Sequence, residues 1–365
     1  MGESLKVGIG IVGVGVISGQ YFTSLTRLDN ISLIAVADLD LEQAKQVAAE
    51  QGCAALTVEE MMSDPRIEMI LNLTTPQAHA EILRRAVASG KHVFTEKPLA
   101  LSTAEISDVL QAARAAKIAV GCAPDTVLGT GIQTARDAID KKLIGEVIGA
   151  SAFWSAPGHE LWHPAPAFYY QPGAGPLFDM GPYYLTALVT LLGPVEAVSG
   201  SATRSNRART IATGPQASAE IEVDVDTHIN AILFHASGIS STVTMSFEIW
   251  SASAPLIEVF GTKGTLAVPD PNQFSEAVKI KLPGESQWTV LEPTAGYISA
   301  SRGYGLAEMA ESIAHNRTPR TCGDLGFHVL EIMESILTAA STRTVVKINS
   351  TVARMQMVEL SEVVS

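Results

Sequence analysis

Glu96-Lys97-Pro98 follows a β-prone run, His92–Thr95, and open α/β sheets bind ligands at the carboxyl ends of their strands. Pro98 fixes its own φ and restricts Lys97 to an extended backbone, which pre-organises the ammonium for work at a ligand. Read without function, the tripeptide is a solvated loop. A second segment, His159-Glu160-Leu161-Trp162-His163, spells H-E-x-x-H, the zinc peptidase pattern, which needs both histidines on one face of a continuous helix. Pro157 and Gly158 precede it, and Pro164 and Pro166 follow. Pro164 pushes His163 out of helical dihedrals and no third ligand suggests itself, so no metal is expected. Trp162 and His163 are expected instead to line a substrate pocket on an aromatic loop.

Two overlapping glycine patterns stand near the start. Gly8-x-Gly10-x-x-Gly13 matches G-x-G-x-x-G in letters, whereas Gly13-x-Gly15-x-x-Ser18 has serine for the third glycine. The motif must follow a strand, and Leu5–Val12 is the strand, so Gly8 and Gly10 lie inside it. Gly13 then makes the turn, Gly15 lets the backbone approach a pyrophosphate, and Ser18 is small enough for close helix packing. Ile17 belongs to the same turn, at a helix N-terminus that supplies oriented N–H donors. Asp38 ends the second strand, Ala35-Val36-Ala37-Asp38. A carboxylate there accepts hydrogen bonds from ribose hydroxyls and repels a 2′-phosphate. Leu39 and Asp40 follow rather than arginine, so NAD is expected over NADP. Read without a ligand, the glycines are a tight turn and Asp38 a helix N-cap.

These residues need a scaffold, and the first third of the chain spells one. Strands are expected at Leu5–Val12, Ser32–Ala37, Met69–Leu73, His92–Thr95 and Ile118–Gly121. Pro76 opens the helix that Gly90 ends, and Thr57 with Glu60 and Ser102 with Glu105 read as capping boxes. Strand and helix in alternation give a doubly wound parallel sheet, a Rossmann domain over 1–125. A helix at Ile132–Lys142 leads into a stretch, Ala156–Pro182, rich in proline, glycine and aromatics. Two-residue alternation then marks strands at Ala219–Val225, His228–Phe234, Ser241–Glu248 and Pro255–Phe260. Helices return at Gly305–His315 and Leu325–Ser341. Closely spaced strands without helices between them indicate an α+β domain over 126–365 with a large, mostly antiparallel open sheet. Gly261-Thr-Lys-Gly264-Thr lacks the spacing of a phosphate loop and reads as a hairpin turn.

The order of these motifs resembles the Gfo/Idh/MocA oxidoreductases. The matches are Gly13-x-Gly15-x-x-Ser18, Asp38, Thr74-Thr75-Pro76 with His79, Glu96-Lys97-Pro98, and Gly173–Gly181 with Asp179 within it. The resemblance spans residues 5–347. It implies nicotinamide-dependent hydride transfer at a secondary hydroxyl or keto group of a sugar, glycoside or cyclitol. It also implies a homodimer or homotetramer assembled through the C-terminal sheet, and adds Thr74, Thr75, Pro76, His79, Glu96 and Lys97 to the cofactor-binding set. Much of the family reads Asp-x-Gly-x-His where this chain has Tyr183, as some members do, so the departure bears on the proton carrier rather than the reaction. Removing a hydride from carbon leaves alkoxide character at oxygen. Lys97 would stabilise that charge and lower the phenol pKa of Tyr183 from about 10, making it general base in oxidation and acid in reduction. Asp179, four residues earlier, would share its helical face and orient Lys97 or grip a substrate hydroxyl. The catalytic set is thus Lys97, Asp179 and Tyr183, with Trp162 and His163 joining them at the substrate. Tyr184 is expected to point elsewhere. The alternative is a dinucleotide-binding regulatory or scaffold protein without turnover.

Composition sets the outer limits. The 365 residues suit two or three domains of about 150 each, and 47% hydrophobic residues against 17% charged exclude general disorder. A net charge of −13 argues against nucleic acid or an anionic membrane as partner. Cys53, Cys122 and Cys322 are too few and scattered for a disulfide scaffold. The apolar run Val7–Ile17 could imitate a signal peptide or a span, but its glycines suit a strand and turn. Met1-Gly2 fails as a myristoylation start because Lys6 stands where Ser or Thr is needed. The cytoplasm is the expected compartment.

Overall fold

The computed structural model describes residues 6–205, 207–362 and 364; Leu5 and the Met1-Gly2 start lie outside the described residues. Two compact units result: the described residues of Met1–Gly129, Tyr297–Phe327 and Val358–Ser365, and those of Thr130–Gly296 and His328–Met357.

The first unit runs β1 (Val7–Val12), α1 (Ser18–Leu25), β2 (Ile31–Ala37), α2 (Leu41–Gln51), β3 (Ala54–Ala55), α3 (Val58–Ser63), β4 (Met69–Asn72), α4 (Pro76–Ala88), β5 (His92–Thr95), α5 (Thr103–Ala116) and β6 (Val120–Cys122). Its six strands pair in the order β3-β2-β1-β4-β5-β6, all parallel, which is the doubly wound dinucleotide-binding arrangement. The central strands are apolar and buried because both faces of such a sheet are covered. Gly8 and Gly10 sit inside β1, where a Cβ would fall 1.9 Å from the Arg66 carbonyl oxygen and 2.6 Å from Met61 Sδ. Their glycine identity answers to packing, not to a ligand. Thr57 and Glu60 form the expected reciprocal box at α3, whereas Ser102 stands at the N-cap of α5 without a side-chain cap bond.

The second unit contributes α6 (Thr130–Asp140), β7 (Val147–Ser155), α7 (Pro176–Leu192), β8 (Val195–Thr203), β9 (Ala208–Thr210), β10 (Glu220–Glu222), β11 (His228–His235), β12 (Ser240–Ser246), β13 (Ile257–Gly261), β14 (Gly264–Val268), β15 (Lys279–Lys281) and β16 (Thr289–Val290). After them come α8 (Tyr304–Ala314) in the first unit, α9 (Gly323–Thr342), and β17 (Val346–Lys347) in the second. The large sheet has the order β16-β15-β14-β13-β7-β12-β11-β8-β17, antiparallel except where β12 meets β7. Along β11 every second residue is buried, and α7 packs beneath β7, β11 and β12. The sequence reading expects neither β7 nor β8. Both are rich in Ala, Gly and Ser, and pairing with stronger neighbours supplies what their own propensity does not.

A division at residue 125 assigns Tyr297–Phe327 and Val358–Ser365 to the second domain, but both segments return to the first unit. Tyr297 bridges to Gly129 and to Ser361, drawing the end of the chain in. Composition carries no mark of such a return.

Candidate functional site

In the first unit the chain leaves β1 at Val12 and turns at Gly13. Its φ of 93° and a Cβ position 2.8 Å from the Leu73 carbonyl group both require glycine. At Gly15 the Cβ position has nothing within 4 Å, so the backbone there faces open space that a phosphate can approach. Ile17 occupies the N-cap position of α1, and Ser18, 3% exposed, donates from Oγ to the Gly15 carbonyl at 2.7 Å. The Val14 N–H donates to Asp38 Oδ2 at 2.8 Å, and the Asp40 N–H to Asp38 Oδ1 at 3.0 Å. Asp40, not Asp38, caps α2, through the Glu42 and Gln43 N–H groups. Asp38 therefore ties the glycine turn to the end of β2.

At the ends of β4 and β5 a polar chain runs from Thr74 Oγ1 to Asn72 Oδ1 (2.7 Å) and from Asn72 Nδ2 to Thr95 Oγ1 (3.1 Å). Thr75 stands at the N-cap of α4 and Pro76 opens it. His79 is fully buried, with Nδ1 2.6 Å from the Pro98 carbonyl oxygen and Nε2 3.0 Å from that of Thr74. It braces the loop after β4 against the loop after β5. Burial lowers its pKa. Glu96, buried, accepts from Tyr21 OH at 2.7 Å and from the Lys97 N–H at 3.0 Å. Burial, then the Glu96 charge, pushes the Tyr21 phenol well up, so it stays a donor. Asp125 is buried nearby in the same network of charges, accepts from the Gly303 and Gly305 N–H groups at 2.8 and 3.0 Å, and has its carboxyl pKa raised by burial. Sequence reasoning missed Tyr21 and Asp125. The available signal was only that a buried tyrosine needs a partner for its hydroxyl.

In the second unit Gly175, at φ 88°, leads into α7, and Asp179 lies in its first turn, where the helix N-terminus favours negative charge. Tyr183 follows one turn later and is 5% exposed. Tyr184 is fully buried, its hydroxyl has no hydrogen-bond partner among the described residues, and burial raises its pKa. His159–Leu161 forms a short 3₁₀ turn rather than an α-helix. Glu160 is taken by Arg209 Nη1 at 2.7 Å and by Tyr170 OH, and Arg209 Nη2 reaches Glu248 Oε1 at 2.8 Å. Among the described residues no group of three or more His, Cys, Asp or Glu could hold a metal. His159 Nε2 instead meets Asp179 Oδ2 at 2.9 Å. Trp162, 57% exposed, and half-buried His163 lie on the same loop, the Trp162 ring 5.1 Å from His159 and 5.4 Å from His163.

Each unit thus gathers its own share of the expected residues. The first brings together the Gly13–Ser18 turn with Asp38, and Thr74 and His79 with Glu96 and Lys97. The second brings Asp179 and Tyr183 onto one helix, with Trp162 and His163 grouped around His159.

Residues 7–123 match the model of the oxidoreductase family with an NAD-binding Rossmann fold, and residues 132–267 match the GFO/IDH/MocA C-terminal domain. The chain belongs to the GFO/IDH/MocA oxidoreductase family. An inositol 2-dehydrogenase/D-chiro-inositol 3-dehydrogenase of Lactiplantibacillus plantarum is 33% identical over 114 residues, covering 30% of this chain and 33% of that protein. The trans-1,2-dihydrobenzene-1,2-diol dehydrogenase of Bos taurus is 25% identical over 338 residues, 90% of this chain and 93% of that one. An NAD binding oxidoreductase from Klebsiella pneumoniae shares the fold with a TM-score of 0.82 at 21% identity, covering 94% of this chain and 99% of its own. Levoglucosan dehydrogenase in complex with NADH and L-sorbose does so at 0.79 and 18%, covering 95% and 100%. Like its family, this chain is an oxidoreductase with an NAD-binding Rossmann domain. Among the described residues no helix is long and apolar enough to cross a membrane.

Proposed function

We propose that this oxidoreductase uses NAD rather than NADP to interconvert a secondary hydroxyl and a keto group on a sugar, glycoside or cyclitol. The observation that carries the reading is Asp38. Its carboxylate stands at the end of β2, bonded to the Val14 N–H beside the open backbone at Gly15, and no arginine follows it. Gly13, Gly15, Ile17, Ser18 and Asp38 would hold the dinucleotide, with Thr74, Thr75, Pro76, His79 and Glu96 shaping the ends of β4 and β5. When bound, the nicotinamide exchanges a hydride with the substrate carbon.

The protein's own groups handle charge and protons. Lys97 stabilises negative charge at the substrate oxygen, and its main chain is held by Glu96. Tyr183 accepts the hydroxyl proton in oxidation and returns it in reduction. Asp179 grips a neighbouring hydroxyl, and Trp162 and His163 offer ring faces to the substrate's C–H surface. On the solvent face of the large sheet, Ile232 and Phe234 of β11 are 41% and 38% exposed, which supports assembly into a homodimer or homotetramer through that face. Free Cys53, Cys122 and Cys322 suit the reducing cytoplasm.

The test is a calorimetric titration with NAD and NADP, followed by a panel of cyclic polyols, sugars and glycosides assayed for NADH formation. Tighter NAD binding and turnover of at least one cyclic polyol or sugar are expected. Equal or tighter NADP binding would remove Asp38 as the ribose ligand. Cofactor binding without turnover of any member would favour the scaffold alternative.

A further inference from the structure

His159 has no part in the chemistry assigned above, yet its side chain is held from several sides. The residue is 5% exposed. Its ring lies 4.2 Å from Tyr169 and 4.5 Å from Phe247, centroid to centroid, and its main-chain N–H donates to Tyr170 OH at 3.0 Å. Tyr170 is itself bonded to Glu160, which Arg209 pairs. Backbone and ring are thus both held, and the held ring presents Nε2 to Asp179 Oδ2 at 2.9 Å.

We propose that His159 is a positioning residue for Asp179, donating from Nε2 so that the carboxylate stays aimed for substrate. An ionised carboxylate can only accept, so Nε2 carries the proton. Among the described residues buried Nδ1 has no hydrogen-bond partner, and a second proton there would meet no acceptor. A carboxylate in the first turn of a helix has several rotamers within reach; a donor on a fixed ring favours the one that meets it, and a substrate hydroxyl then finds an oriented acceptor. The inference rests on the dehydrogenase reading for its catalytic consequence, but not for the tautomer or the pairing.

Two variants separate donor from bulk. His159→Gln places an amide nitrogen near the position of Nε2, whereas His159→Phe keeps a ring and removes the donor. His159→Phe is expected to lower kcat at least tenfold and raise substrate KM, with NAD affinity and thermal midpoint near those of the parent. His159→Gln should recover kcat to within a few-fold. Nitrogen-15 spectra of the histidines in the parent protein should show His159 protonated at Nε2 only, and Asp179→Asn should move that resonance. Full kcat in a folded His159→Phe, equal losses in both variants, or an Nδ1-protonated ring would each overturn the proposal. If the parent turns over no polyol or sugar, the dehydrogenase reading fails, while the spectra still decide the pairing.

Discussion

Each unit buries a tyrosine whose hydroxyl donates to a buried glutamate, and the two pairs are put to different use. Tyr21 holds Glu96, whose second oxygen accepts the Lys97 N–H. Tyr170 holds Glu160, whose second oxygen meets Arg209, and Arg209 goes on to Glu248. The first pair spans from α1 to the end of β5 and fixes one short backbone segment, the one that carries Lys97. The second clamps four segments: the 3₁₀ turn at His159–Leu161, the short turn that ends at Tyr170, the strand β9, and the chain just after β12. A buried carboxylate satisfied by hydrogen bonds aims its neighbours. One satisfied by a guanidinium joins distant parts of the chain, and it becomes costly if the cation is lost.

The largest effect is therefore expected from Arg209→Met. With Glu160 and Glu248 left without their cation, stability should fall by about 3–5 kcal/mol, read from the urea midpoint. Adding Glu160→Gln should restore part of the loss; an unchanged midpoint in Arg209→Met would break the contrast.

The second unit also buries a histidine in a form that cannot accept a proton cheaply. His328 Nε2 accepts the Val195 N–H at 3.0 Å while Nδ1 faces Ser350 Oγ at 2.8 Å, and burial pushes its pKa down to about 4. A depressed histidine pKa means that the unfolded chain takes up the proton first. The stabilising contribution is then complete above about pH 6.5 and is lost as the pH falls from there towards 4, by about 3 kcal/mol. Urea titrations over that range, compared with His328→Gln, should show a flatter profile for the variant.

Tyr21→Phe should cost about 1–3 kcal/mol in stability, because Glu96 loses a buried donor. It should also lower turnover, since Glu96 would no longer be fixed beside Lys97. A stability loss with full turnover would make the first pair a clamp like the second.

Gly15→Ala gives the smallest change in stability, within about 0.5 kcal/mol, because its Cβ would meet nothing. NAD affinity should nevertheless fall tenfold or more, as the methyl occupies the space a pyrophosphate needs. Calorimetry and thermal melts on the same preparation check both halves.

What could be read in the residues was local. The Gly13 turn, Pro76 at the head of α4, the Thr57–Glu60 box and the Gly261–Gly264 hairpin each depend on φ preferences or donors within about four residues, and all four are present. The alternation of β11 was equally legible, because a half-buried strand repeats every second residue. Of the candidate site, the sequence showed what coincides with such punctuation, as in the placing of Asp38 beside the glycine turn.

Tertiary structure decided the partners. Tyr21 and Glu96 are 75 residues apart, Glu160 and Arg209 49, and His159 and Asp179 20. No local preference at either member announces such a match. The H-E-x-x-H letters spell a chemistry that the flanking prolines already argued against, but nothing in them shows that Glu160 meets an arginine and His159 an aspartate. The same holds for β7 and β8 and for the return of Tyr297–Phe327 to the first unit. The sequence by itself determined turns, caps and strand periodicity, since those follow from covalent geometry and near neighbours. Which buried polar group meets which was settled only when packing excluded water and made an unpaired donor or acceptor costly.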